Sequence, residues 1–147
     1  MKMVLPNEIL LAEVRTMLLE GHPVIIMTKG NSMLPFIFGD KDCVKLVLPE
    51  NPRIGDIALC EIAPGHFVLH RIIGIDGDRV TLKGDGNLKG TEHCRMEDIC
   101  GTVTAIIKKD GKEILCSSPS FIRHSRIWAK MPYIIRRFTL AIIRRVQ

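Results

Sequence analysis

From residue 24 to residue 116 the chain is a series of short β-branched runs cut apart by turn-formers. That rhythm confines it to an antiparallel β body. The runs are VIIMTK (24–29), CVKLVL (43–48), DIALCEI (56–62), HFVLHRIIGI (66–75), RVTLK (79–83) and GTVTAIIK (101–108). Runs of this length and composition are strands rather than helices. Between them stand 38–42 with a Gly-Asp, 49–55 with two prolines, and Asp76-Gly77-Asp78. The Asp-Gly step suits the positive φ angles of a type I′ hairpin turn. Lys109-Asp110-Gly111 makes a second turn, returning into EILC at 113–116. Connections this short join antiparallel neighbours.

Helices are expected only at the two ends. Asn7 is placed to cap a helix over 7–20, in which Ile9, Leu10, Val14, Met17 and Leu18 recur at three and four before Gly21 and Pro23 stop it. Residues 120–131 and 133–146 read as helices divided by Pro132. In the second, Ile134, Ile135, Phe138, Ala141, Ile142 and Val146 form an apolar stripe, with Arg145 at its edge. The chain therefore divides into a β body with its N-terminal helix (1–119) and a helical tail (120–147). Charge divides it at the same place. Of the 21 Lys and Arg, seven lie in 122–147, and all 16 Asp and Glu precede them. The net charge of +5 belongs to the tail, and the body is close to neutral.

Five cysteines with no CxxC pair argue against a disulfide framework and for a reducing compartment. Neither a signal peptide nor an 18-residue apolar window is visible, so a cytoplasmic location, or a peripheral one on the cytoplasmic membrane, is expected. The basic tail suits an anionic membrane surface, a partner such as export machinery, or packing on the sheet. Nucleic acid is disfavoured because stacking aromatics are few and no binding motif is present.

Three strings carry side chains suited to acyl transfer. In GNSMLP (30–35), Ser32 stands on a loop that Gly30 lets bend and Pro35 fixes at its exit. Read alone it is a turn serine; Met33-x-Pro35 points instead to a presented hydroxyl. In VLHRI (68–72), His70 shares a strand face with Val68, Ile72 and Gly74, as a core histidine or as a general base. In LKGDGN (82–87), Asp85 between two glycines makes an Asx-turn, orients His70, or braces the loop around the site. Lys83 is an alternative base. His66, His93, Cys94 and Cys100 lack a recognisable metal-ligand spacing, and neither metal nor organic cofactor is expected.

In order, GNSMLP, the Gly55-Asp56-Ile57 of RIGDI, VLHRI and LKGDGN resemble the boxes of the signal peptidase I and SOS-repressor superfamily of serine peptidases, over about residues 24–108. The resemblance implies a coiled, barrel-like antiparallel sheet with the serine at a strand end and substrate bound as an added strand. The base position holds His70, which resembles the endoplasmic-reticulum and archaeal branch rather than the lysine-dependent bacterial one. That branch usually has a further aspartate beyond its K-G-D box. Here Leu88-Lys89-Gly90-Thr91-Glu92 follows, so the orienting role is divided between Asp85 and Glu92.

The expected activity is a signal-peptidase-like serine endopeptidase acting on a peptide or precursor protein. Ser32 is its nucleophile and His70 its general base, with Asp85 or Glu92 orienting the imidazole. Gly30 and Asn31 form the oxyanion loop, and Met33 and Pro35 support the substrate groove. A non-catalytic peptide-binding module on the same fold is the second reading. A self-cleaving repressor ranks last, since only 31 residues precede Ser32.

Overall fold

A computed structural model describes residues 2–3 and 8–146. The described residues form nine strands of one sheet: β1 (Lys2–Met3), β2 (Val24–Met27), β3 (Cys43–Val47), β4 (Ile57–Ala63), β5 (His66–Asp76), β6 (Arg79–Lys83), β7 (Glu92–Arg95), β8 (Ile99–Ile107) and β9 (Glu113–Leu115). Three helices accompany them: α1 (Glu8–Leu19), α2 (Pro119–Lys130) and α3 (Tyr133–Val146). The cap expected at Asn7 lies outside the described residues.

The strand order is β1-β2-β3-β8-β4-β5-β6-β7, with β9 added to β8, and every pairing except β1 with β2 is antiparallel. The expected barrel-like closure is not found: among the described residues β1 and β7 end the order without pairing to each other. The sheet instead coils around two apolar cores, with β4 common to both. Ile57 and Leu59 join Val14, Leu18, Val44 and Ile106 in one core, while Ala58 and Cys60 join Ile72, Val80, Leu82 and Cys94 in the other. Burial on both faces explains why IALC reads as an unbroken apolar run. Cysteines serve this packing as small hydrophobes: all five are free, and burial pushes the thiols of Cys100 and Cys116 up to about 11.

The hairpin at 76–79 corrects one expectation. Asp76 pairs with Arg79, so Gly77 and Asp78 are the turn residues, and only Gly77 has positive φ, at 60°. A positive φ at the first turn position alone is the type II′ pattern, not type I′. β7 was also not among the expected strands. Glu-His-Cys-Arg offers one buried side chain, Cys94, and no apolar alternation, as suits a short edge strand.

α2 starts at the Ser118 cap, whose hydroxyl accepts from Phe121 N–H at 3.3 Å, and α3 follows directly after Pro132. Both are held to the body by a third cluster of Leu34, Trp128 and Leu140. The apolar stripe anticipated on α3 faces away from this cluster: Leu140 is 1% exposed, whereas Ile134 and Phe138 are 66% and 67% exposed. If the two helices are part of one cooperative unit with the sheet, Leu140→Ala will lower the stability of the whole chain by about 2–5 kcal/mol in urea denaturation. An unchanged midpoint for the sheet would show that residues 120–147 fold apart from it.

Candidate active site

Gly30-Asn31-Ser32 leaves the end of β2 and turns back through 33–37, where the amides of Phe36 and Ile37 both donate to the Met33 carbonyl, at 3.1 and 3.0 Å. The two ends of this excursion are tied together. Thr28 donates through its N–H and its hydroxyl to the Asp42 carbonyl, at 3.0 and 2.9 Å. The Asp42 carboxylate, 2% exposed, accepts from Lys108 Nζ at 2.6 Å and from the Phe38 amide at 2.7 Å. A buried carboxylate met by a cation and a backbone donor is well compensated. It anchors the serine loop at its exit.

The LKGDGN string lies beneath the serine loop. The Gly86 N–H donates to the Ser32 carbonyl at 2.8 Å, and the Asp85 N–H reaches the Met33 sulfur at 3.4 Å. The two glycines are required by this approach. A Cβ at Gly84 would come within 2.4 Å of the Ser32 carbonyl oxygen, and one at Gly86 within 2.6 Å of that of Asn31.

Glu92, not Asp85, meets the histidine. His70 Nδ1 donates to Glu92 Oε1. Topology explains the reach. β6 pairs with β5 from Asp76 back to Arg71 and stops at Lys83, one residue before a position opposite His70. On β7, Glu92 stands opposite Leu82, which stands opposite Ile72, so Glu92 and His70 share a face across the end of β6. With Nδ1–H committed to a carboxylate, Nε2 is left as the proton acceptor.

Of the two carboxylates between which the orienting role was divided, Asp85 is turned elsewhere. Its two oxygens accept from Arg71 Nε at 3.2 Å and Nη2 at 2.6 Å, a bidentate pair with both side chains about nine-tenths buried. Arg71 also donates to the Gly55 carbonyl at 3.0 Å, and its guanidinium lies 5.6 Å from the ring centres of both Phe36 and Phe121. Asp85 thus braces the loop, as its third reading had it. Sequence inspection overlooked Arg71 because an arginine beside a histidine in a strand reads as solvated.

Ser32 and His70 line a single cavity of about 240 Å³, with Gly30 and Met33 also in its wall. Its apolar part comes from Leu11, Ile26, Ile37, Leu59 and Phe67. Pro35 is not in the wall, and neither is Asn31, whose carbonyl accepts from the Leu34 amide at 3.3 Å. Their expected places in the groove and the oxyanion loop are not visible in this cavity. Lys83, opposite Arg71 in the ladder, is on the face away from His70. Lys29, which no motif singled out, stands in the wall beside Ser32. Among the described residues no cluster of three His, Cys, Asp or Glu is placed to hold a metal ion. His93 is hydrogen-bonded to Thr81 at 3.2 Å, and Cys94 and Cys100 belong to different cores.

No family model matches the chain, and no curated protein matches it in sequence.

Breaking the buried Arg71–Asp85 pair from one side leaves an uncompensated charge, so Arg71→Met should cost about 3–5 kcal/mol in chemical denaturation. The double variant Arg71→Met, Asp85→Leu should cost less than that single change. Equal losses would show that the charge pairing is not what Asp85 contributes.

Proposed function

We propose that this chain is a serine endopeptidase of the signal-peptidase type, acting on an extended peptide or precursor protein. The observation that carries the reading is the Glu92–His70 hydrogen bond at the border of the cavity that also holds Ser32. It supplies nucleophile, base and base-orienting carboxylate in one place.

In this mechanism Ser32 Oγ attacks the carbonyl carbon of the scissile bond while its proton passes to His70 Nε2. The developing imidazolium is stabilised through Nδ1 by Glu92. The Ser32 N–H and a neighbouring amide of the Gly30–Asn31 loop receive the oxyanion. Collapse expels the amine, which takes its proton from His70. Water, deprotonated by the same imidazole, then releases the acyl group and regenerates Ser32.

Sheet topology also favours an extended substrate. β4 pairs with β5 from His66 to Arg71, but β6 pairs only from Arg71 onward. The far edge of His66–His70 therefore has no strand partner among the described residues. A peptide adding itself there would hydrogen-bond through its backbone and pass directly by His70. Alternate side chains would enter the apolar cavity over Phe67 and Leu69. No described helix is long and apolar enough to cross a membrane, and we place the enzyme in the cytoplasm or peripherally on the membrane.

The open edge of β5 would serve equally well in a module that binds peptides without cutting them, so the test is chemical. A fluorophosphonate probe should label the native chain at one residue, and neither Ser32→Ala nor His70→Ala should be labelled. Glu92→Gln should slow turnover by between about 10² and 10⁴ while Asp85→Asn acts through stability. Absence of labelling in a folded native chain would leave only the peptide-binding module.

A further inference from the structure

The outward face of α3 has no role in the site. On α3, at 100° per residue, Ile134, Phe138, Ile142 and Arg145 share the side opposite Leu140. Three of these are large apolar side chains, 66%, 67% and 60% exposed, and they form one stripe on a 14-residue helix. A stripe of this kind with no covering element is not an ordinary surface for a folded chain. On the same helix Arg137 and Arg145 are exposed, and α2 separately exposes Arg123, Arg126 and Lys130 around Ile122 and Ile127. Residues 114–147 contain no acidic side chain.

We propose that α3 docks the protein on an anionic lipid bilayer, with Phe138 and its neighbouring isoleucines among the acyl chains and the arginines at headgroup level. Charge selects this occupant over a second copy of the chain. A two-fold dimer through the stripe would bring two sets of cations together with no carboxylates between them. Anionic headgroups neutralise the same cations while the apolar side chains leave water. Arg145, in the stripe, can extend its aliphatic stem and keep its charge at the interface.

The test is flotation of the full-length chain with vesicles of phosphatidylcholine alone or mixed with phosphatidylglycerol. The protein should float with the mixed vesicles, remain behind with the neutral ones, and be released as salt rises. The double variant Arg137→Glu, Arg145→Glu should partition at least about twenty-five-fold more weakly, from about fivefold for each lost cation. Phe138→Asp should abolish flotation. These positions are exposed, so the circular dichroism spectrum and probe labelling at Ser32 should match the native chain, which separates this outcome from any failure of the peptidase reading. Equal binding to neutral vesicles, no binding to either kind, or indifference to both variants overturns the proposal. So does a dimer in sedimentation that Phe138→Asp dissolves while vesicle binding is absent.

Discussion

The buried guanidinium of Arg71 is the interaction on which the rest of the site depends. Its donors go to the Asp85 carboxylate and the Gly55 carbonyl, and its plane lies against Phe36 and Phe121. Each contact is on a different segment: the 84–87 loop, the turn before β4, the serine loop and α2. A planar cation with a fixed fork of donors can hold several segments at defined angles, which a lysine at the same place could not. Such a group is stable inside only while all its partners are present, so four stretches distant in sequence are held in one arrangement.

The site follows from where strands stop. Because β6 ends at Lys83, Glu92 reaches across its end to His70 and the nearby edge of β5 is left without a strand. One truncated ladder thus supplies both the histidine's partner and an unpaired strand edge beside it. The glycines at 84 and 86 then let the serine loop rest on the chain that would otherwise have continued the strand. Ser32 is fixed by the main-chain contact beneath its loop, and His70 by a carboxylate and by its place in β5.

Much of the fold was legible because period and punctuation are local. Val24–Met27, Cys43–Val47 and Arg79–Lys83 fall where β-branched runs and turn residues place them, and Pro132 divides the last two helices. The site was legible to the same depth. Ser32 and His70 stand out by the strings around them, yet the choice between Asp85 and Glu92 depends on which residue faces which across three strands. That register is not written in any one segment. β7, the strand bearing Glu92, has a single buried residue and so no pattern to find. Whether the sheet closes was equally hidden, since closure is a property of tilt and shear over all strands. The apolar face of α3 was correctly composed, but only packing shows that Leu140 turns inward and Phe138 outward.

The contact between Trp128 Nε1 and the Asp85 carbonyl, at 2.8 Å, has a consequence for the order in which the molecule becomes competent. Every residue of the candidate catalytic group precedes residue 93, but the support behind it arrives from residues 121–140. Phe121 completes the cage around Arg71, Trp128 holds the 84–87 loop, and Leu140 seals Leu34 behind the serine. A growing chain would therefore present its serine, histidine and glutamate well before it could hold them still. The side chains that hold the candidate residues in place are thus supplied by a later part of the chain than the residues they hold.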